Sequence, residues 1–392
     1  MTFPLGFRYA AGYAGIRKEE RDDIGLIVSE PVAEAAAVFT RNVVQAGPIR
    51  IARKHLRSSK GKVAAILANA GNANCATKTE DRVALASCKA LSRALKIKTE
   101  YVLPASTGVI GVELDSKLLT NAIPKLVSTL SPLDFAAVAR AIMTTDTRVK
   151  VASEEMRFRE GVVRIAGMTK GSGMIHPDMA TTLGFFMTDS VLSAKEVREI
   201  LSAAIEPSYN SLSVDGDMST NDMVVLLANG ASNVRPRAGE FETLRQAITG
   251  QMEDLARQIA ADGEGARKLI IVRVAGFKSI GEGRKIARAI ANSPLVKTAI
   301  AGSDPNWGRI LAAAGYAGVA FDPSQVDIHL QQALVCRGGI AAEFDESELK
   351  RRLDAHEIEI DLTLKGRRKP EARFFTCDLT EGYIHINGSY RT

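Results

Sequence analysis

The stretch of the chain from Lys170 to Leu183 reads KGSGMIHPDMATTL, a polar, glycine-rich run that ends in two threonines before an apolar segment. An internal threonine at such a boundary can attack the carbonyl that precedes it, which converts the peptide bond to an ester. Hydrolysis then leaves the threonine as a new N-terminus. Its free α-amine, with an ordinary pKa of about 7.7–8.0, can serve as general base for its own hydroxyl. The same string is also typical of the start of a strand, so its meaning depends on motifs elsewhere in the chain.

Apolar runs on both sides of this stretch, at 162–168 and 183–187, predict two strands that share one core. Further apolar runs predict strands at 63–67, 101–103, 223–228, 269–274, 358–364, 374–379 and 383–387. Apolar residues at helical spacing predict helices at 81–96, 118–130, 135–143, 241–260, 284–291 and 347–355. Ser193 with Glu196 predicts a capping box for another helix that runs to about Ile205. Strands and helices mixed at these intervals indicate an α/β fold with mixed α+β layers.

The composition is typical of a globular protein. Hydrophobic residues make up 46% and charged residues 24% of the chain. Its length of 392 residues is enough for two to three domains. The net charge is a mild +6, and beyond the GRRK tetrapeptide at 366–369 there is no basic block. We expect this tetrapeptide to turn a hairpin between strands at 358–364 and 372–378. We therefore expect no nucleic-acid partner.

Neither the cysteines nor the acidic residues suggest a metal site. The four cysteines are far apart in sequence, at Cys75, Cys88, Cys336 and Cys377. They form no CxxC pair, and no histidine stands at metal-ligand spacing, so we expect free thiols of a reducing compartment. Asp215, Asp217 and Asp222 could suggest a metal cluster, but Asp-x-Asp without further ligands at set spacing is more typical of turns and their hydrogen bonds. We expect no bound metal.

The N-terminal residues carry no basic-then-apolar targeting signal. No apolar run approaches the roughly 20 residues that a membrane-spanning helix needs. We therefore expect a cytoplasmic protein without a membrane partner.

A series of ordered strings carries a resemblance to one enzyme family. The strings are PLGF (4–7), AGYAGI (11–16), VFTRN (38–42), AGP (46–48), ANAGNAN (68–74), STGVIG (106–111), MTTDT (143–147), KGSGMIHPDMATTL (170–183), DGEGA (262–266), SPLVKT (293–298), DPNWGR (304–309) and CDLTEGY (377–383). Nearly end to end, the chain resembles the ornithine acetyltransferases of arginine biosynthesis, also called glutamate N-acetyltransferases. One departure is Thr182, where the family usually has Met or Leu after its nucleophilic threonine. The match favours Thr181 as the nucleophile.

The resemblance implies two α/β lobes, with a self-cleavage point that feeds a central strand. It places the scissile bond between Ala180 and Thr181. Cleavage there gives an α chain of residues 1–180 and a β chain of residues 181–392. It further implies a heterotetramer of two α and two β chains, and a reaction that needs no cofactor.

Thr107 and Gly108 are the candidates for an oxyanion hole, which a self-acylating threonine needs in addition to its base. They stand in a loop after a predicted strand, where backbone N–H groups and the Thr107 hydroxyl can donate to an oxyanion. Gly108 would let a substrate carbonyl approach closely. An ordinary glycine turn would look the same in sequence, but these two residues match the oxyanion pair of the family.

The resemblance also implies a set of substrate-binding residues, each with an ordinary structural alternative. Lys170 would hold an amino-acid carboxylate, although a lone lysine is usually a surface charge. Its place before the glycines is wrong for a phosphate loop. Glu264, between two glycines, suits the side-chain ammonium of ornithine, although turn residues share this pattern. The remaining matches are Thr144, Thr181, Asn387 and Thr392, the last two in a C-terminal tail that would fold back over the site.

The expected activity is transfer of an acetyl group from N2-acetyl-L-ornithine to L-glutamate through an acetyl ester on Thr181. Acetyl-CoA serves as a second donor in some members of the family, and the sequence leaves open whether it does here. Two rival functions stay open as well. One is an aminopeptidase-like amide hydrolase that uses the same self-cleaving threonine, and the other is a metabolite-binding protein that is never cleaved.

Overall fold

The computed structural model describes residues 2–176, 182–364, 367 and 369–389, and two β-sheets run through this part of the chain. The strands of the first sheet are β1 Phe7–Gly12, β2 Ile24–Phe39, β3 Lys62–Asn69, β4 Val102–Ser106, β5 Lys150–Phe158, β6 Gly161–Lys170, β7 Leu183–Thr188 and β8 Met223–Ala228. Those of the second are β9 Leu269–Ala275, β10 Val326–Leu330, β11 Ala333–Arg337, β12 Ile340–Ala341, β13 Glu357–Leu364 and β14 Glu371–Cys377. The α-helices of the described residues are α1 Gly47–Ser58, α2 Glu80–Leu95, α3 Ser116–Ser128, α4 Phe135–Ala141, α5 Ala194–Ile205, α6 Ala238–Ala261, α7 Ile280–Ala291, α8 Pro294–Ala301, α9 Trp307–Gly315, α10 Glu346–Arg352 and α11 Glu381–Ser389.

The first sheet has the strand order β4-β3-β2-β8-β7-β6-β5, and β1 pairs with the first half of the long strand β2. Strand β6 runs antiparallel to β7, with Lys170 opposite Leu183. The two strands that flank the predicted cleavage point are therefore direct neighbours, which confirms that they share a core. The expected cleavage point itself, between Ala180 and Thr181, lies outside the described residues.

Strands β7 and β8 are buried along their whole length, as expected for central strands covered on both faces. Because side chains alternate along a strand, Phe186 faces one core and Phe185 the other. The Phe186 face packs against α5 and α6, and the Phe185 face packs against α1 and α4. The Ser193 capping box at the start of α5 is confirmed, since Ser193 accepts from Glu196 N–H and Glu196 accepts from Ser193 N–H.

Helix α6 joins the two sheets. Its apolar face packs against β5 and β6 of the first sheet and against β9 and β14 of the second. The helix ends at Ala261, directly before the 262–266 segment that carries Glu264. The α/β fold class with mixed layers is thus confirmed, and the corner after α6 is held where the two sheets meet.

Two local predictions are wrong. Strands β13 and β14 do not form a hairpin, because they pair with opposite edges of β9, β13 in parallel and β14 antiparallel. The predicted strand at 383–387 is part of helix α11. That helix starts after Thr380, whose hydroxyl accepts from Gly382 N–H at 3.0 Å and donates to Gly265 O at 2.6 Å. Packing of the tail against Gly265 therefore stabilises a helical turn where the short apolar pattern indicated a strand.

Among the described residues, no helix combines the length and the apolar character that a membrane span requires.

Candidate active site

A cavity of about 360 Å³ lies where strands β4 and β6 of the first sheet end, beside the corner after α6 and helix α11. Six residues proposed from the sequence line it: Thr107, Gly108, Thr144, Lys170, Glu264 and Asn387. They come from five separate segments of the chain. The fold therefore gathers into one pocket residues that the sequence spreads over 280 positions, from Thr107 to Asn387.

Thr107 and Gly108 directly follow β4 and retain two donors for an oxyanion. The Thr107 backbone N–H is used by the fold, since it donates to Asn69 O at 2.9 Å. Within the described residues the Gly108 N–H has no hydrogen-bond acceptor, and the Thr107 hydroxyl accepts from Lys170 Nζ at 3.3 Å. The Thr107 O–H and the Gly108 N–H are thus the groups that can face a developing negative charge.

Glycine is required at position 108 for two reasons. Its φ of +132° lies in the region that favours glycine, and an added Cβ would come within 2.5 Å of Asn72 N. The tight loop after β4 is therefore specific to glycine, and it holds the Gly108 N–H at the cavity wall.

Lys170 is a buried residue at the end of β6, only 4% exposed, and not the surface charge that a lone lysine usually is. Burial lowers the pKa of its ammonium group, and the nearby Lys150 adds to this effect. The negative charges of Asp146, Asp222 and Glu264 act in the opposite direction. A buried ammonium with few competing waters is a strong binding group for a carboxylate.

Glu264 lines the same cavity and is 7% exposed. Its Oε2 accepts from Asn387 Nδ2 at 2.8 Å, and its backbone N–H donates to Ser172 O at 2.9 Å. The contact with Asn387 places part of helix α11, in the C-terminal segment, at the cavity. A buried carboxylate of this kind can hold an ammonium group.

The wall beside Glu264 contains further acidic residues that the sequence patterns placed only in turns. Asp215 does serve a turn, since it accepts from Met174 N at 2.6 Å and Ile175 N at 2.9 Å. It also lines the cavity with Asp217 and accepts from the Tyr383 hydroxyl at 3.3 Å. Burial raises the pKa of Asp215. The lining of the cavity thus combines the cation of Lys170 with the acidic residues Glu264, Asp215 and Asp217.

Comparison with known proteins agrees with this geometry. The model of the ArgJ family matches residues 8–392. The chain belongs to the ArgJ family. It is 42% identical over 400 residues to the arginine biosynthesis bifunctional protein ArgJ of Thermotoga neapolitana, with all of both chains covered. It is 43% identical over 398 residues to the ArgJ of Symbiobacterium thermophilum, covering 100% of this chain and 98% of the relative.

A solved structure of ArgJ from Bacillus halodurans is 38% identical and superimposes with a TM-score of 0.50. The match covers 53% of this chain and 98% of the Bacillus halodurans chain. Membership of the ArgJ family confirms the resemblance found in the sequence. It also confirms the expectation of an acyltransferase of arginine biosynthesis.

Thr182, the residue at which the chain departs from the usual ArgJ pattern, is held by the first sheet. Its hydroxyl lies 2.5 Å from Lys170 O, to which it donates, and 2.7 Å from Thr169 Oγ1. The side chain is buried, with 2% of the residue exposed. Because its hydroxyl is already engaged, Thr182 is poorly placed to act as a nucleophile.

Asp222, which the sequence patterns also assigned to turn chemistry, is a fully buried carboxylate before β8. Neither of its oxygens has a hydrogen bond of normal geometry among the described residues. Burial raises its pKa well above the ordinary value, and the Thr182 N–H and the Lys170 ammonium lower it only in part.

Three residues of the proposed site, Ala180, Thr181 and Thr392, lie outside the described residues. Within the described part of the chain, no group of three or more His, Cys, Asp or Glu side chains is arranged to hold a metal ion.

Proposed function

We propose that this protein transfers the acetyl group of N2-acetyl-L-ornithine to L-glutamate through an acetyl ester on Thr181. The observation that carries the proposal is that one cavity combines two oxyanion donors, a buried cation and a buried carboxylate. Membership of the ArgJ family supports the same reaction.

The charges of the cavity match the donor substrate. Acetylornithine carries an α-carboxylate and a side-chain ammonium, which suit the Lys170 cation and the Glu264 carboxylate in the lining of the pocket. Thr144 and Asn387 line the same space and can also hydrogen-bond to the substrate. Thr392 completes the substrate-binding set that we propose.

In the first half-reaction, Thr181 Oγ attacks the acetyl carbonyl while the α-amine of the same residue takes the hydroxyl proton. The Thr107 hydroxyl and the Gly108 N–H stabilise the tetrahedral oxyanion. When the intermediate collapses, the C–N bond breaks and the proton passes from the α-amine to the departing ornithine nitrogen. In the second half-reaction, the glutamate amine attacks the ester, and Thr181 Oγ leaves with the proton returned to it.

We also propose that the mature protein consists of the α chain 1–180 and the β chain 181–392, assembled as a heterotetramer in the cytoplasm. Pairing of β6 with β7 supports association of the two chains after cleavage, since Lys170 and Leu183 are opposite each other in one sheet. The engaged hydroxyl of Thr182 supports Thr181 as the first residue of the β chain. The relatives are named bifunctional, so acetyl-CoA is the second donor to assay.

Intact-mass measurement of the purified protein tests the proposal. We expect two chains of 180 and 212 residues. Incubation with acetylornithine alone should add one acetyl group to the peptide that starts at Thr181. The Thr181→Ala variant should remain a single inactive chain. A wild-type protein that is uncut and fully active would refute the mechanism.

The same preparation separates the two rival functions. An amide hydrolase would be cleaved but would release acetate instead of acetylglutamate. A metabolite-binding protein would remain a single chain and turn over neither substrate.

A further inference from the structure

Three charged residues next to the cavity form a buried cluster that makes none of the substrate contacts proposed above. They are Asp146, Lys150 and Asp262, and their side chains are at most 2% exposed. Lys150 Nζ lies 2.7 Å from Asp146 Oδ1 and 2.5 Å from Asp262 Oδ2. Burying three charges is costly unless each is paired and hydrogen-bonded, so a cluster of this kind needs precise geometry.

Asp146 uses both carboxylate oxygens to connect two segments that contribute to the cavity. Its Oδ2 accepts from Thr144 N–H at 2.9 Å, and its Oδ1 accepts from Gly171 N–H at 2.7 Å. Gly171 directly follows Lys170 at the end of β6. One side chain therefore fixes the backbone at Thr144 and the backbone next to Lys170.

Asp262 connects the cluster to the segment that carries Glu264. Its carboxylate accepts from Thr147 N–H at 3.0 Å, and its backbone carbonyl accepts from Ser172 Oγ at 2.6 Å. Ser172 O in turn accepts from Glu264 N–H at 2.9 Å. The cluster thus ties together the three segments that present Thr144, Lys170 and Glu264.

The cluster also sets the charge environment of Lys170. The groups that face Lys170 are Asp146, Lys150, Asp222 and Glu264. Asp146 is the largest of the influences that raise its pKa, whereas burial and Lys150 lower it. For Asp146, burial alone would raise the pKa, but the charges of Lys170 and Lys150 and the Gly171 N–H lower it to about 2. Asp146 is therefore ionised at every pH at which the enzyme would be assayed.

We infer that Asp146 is a positioning residue of this active site, which holds the backbone at Thr144 and the backbone next to Lys170 and places a negative charge near the Lys170 ammonium. Lys150 and Asp262 fix the carboxylate of Asp146 in turn. The inference rests on the proposed role of Lys170 in binding the substrate carboxylate.

The test is the pH dependence of kcat/KM for acetylornithine in the Asp146→Asn variant, which keeps the shape of the side chain and removes its charge. Without this charge the pKa of Lys170 falls further, so neutral Lys170 appears at lower pH. We expect the alkaline limb of the profile to move to lower pH by on the order of 1 unit, since a close opposite charge shifts a pKa by about 1–3 units. Dividing kcat/KM of the variant by kcat/KM of the wild type at each pH removes the contributions of the substrate and of the Thr181 amine, which titrate in both proteins.

Two further variants separate this role from a purely structural one. Asp189→Asn removes a buried carboxylate at the opposite end of β7, where Asp189 accepts from Arg164 N–H and Leu5 N–H. This control should leave the alkaline limb in place. Lys150→Met removes the cation that opposes Lys170 and should move the limb to higher pH, the direction opposite to Asp146→Asn. If Lys150→Met does not fold, the comparison of Asp146→Asn with Asp189→Asn still shows whether the Asp146 charge moves the alkaline limb.

An alkaline limb that stays unmoved in a folded Asp146→Asn variant would overturn the inference, whether activity is normal or uniformly reduced. The Lys170→Met variant distinguishes failure of the inference about Asp146 from failure of the proposed function. If Lys170→Met uses acetylornithine as well as wild type does, the carboxylate-binding role of Lys170 is wrong. If Lys170→Met raises KM strongly while Asp146→Asn leaves the limb unmoved, only the inference about Asp146 fails.

Discussion

Replacement of Gly173 by alanine should weaken the binding of acetylornithine, although Gly173 is not one of the residues proposed to contact this substrate. A Cβ built on Gly173 lies closer than 3.0 Å to the Cδ, Oε1 and Oε2 atoms of Glu264, a separation that real Cβ atoms essentially never show. The backbone at Gly173 is not in the left-handed region, so alanine is conformationally acceptable there. The strain therefore falls on Glu264.

The size of the effect follows from this overlap. Ordinary contact begins at 3.4 Å, so the Glu264 carboxylate must retreat by about 1 Å. It is buried and hydrogen-bonded to Asn387, which leaves little room to move without losing that bond. A misplacement of about 1 Å can cost about 100-fold in rate. We expect kcat/KM for acetylornithine to fall about 10- to 100-fold, equivalent to about 1.4–2.7 kcal/mol.

The assay compares the two half-reactions. Glutamate lacks the side-chain ammonium that Glu264 is proposed to hold, so its use as acceptor should fall much less than that of acetylornithine. Gly250→Ala is the matched control, because a Cβ on Gly250 in α6 meets no atom within 4 Å. It should leave both half-reactions unchanged. Equal losses for both substrates in a folded Gly173→Ala variant, or no loss at all, would refute the placement of Glu264 at the ornithine ammonium.

Two further predictions concern single side chains of the cavity. Thr107→Ala removes one oxyanion donor while the nucleophile and its amine stay in place, so turnover should fall on the order of 100- to 1,000-fold. Steady-state rates within about twofold of wild type would show that Thr107 only forms the turn. Glu264→Gln removes the proposed counter-charge of the ornithine ammonium, and loss of a buried charged contact typically costs about 2–5 kcal/mol. Use of acetylornithine should weaken by well over tenfold and use of glutamate by less, whereas equal kcat/KM losses would remove Glu264 from the ornithine pocket.

Much of the first sheet and of the site could be predicted from local sequence. Strands β7 and β8 are apolar runs of six residues that contain aromatic or β-branched side chains, and this short length and composition favour a buried strand over a buried helix. The capping box of α5 depends on residues three positions apart, so its signal is complete within one turn of chain. Thr107, Gly108, Lys170 and Glu264 stand in strings whose order matches the ArgJ family, and the structure places all four at one cavity.

The sequence by itself determined the fold class, the family and six of the residues at the cavity, because these follow from short patterns and their order. Only the tertiary structure decided which strands flank β9 and that the tail at 383–387 is helical, since both depend on contacts with distant parts of the chain. The same is true of Lys150, whose partner Asp262 lies 112 positions away. In sequence Lys150 is an ordinary lysine. Burial between two carboxylates changes its role, and burial is a property of the folded chain.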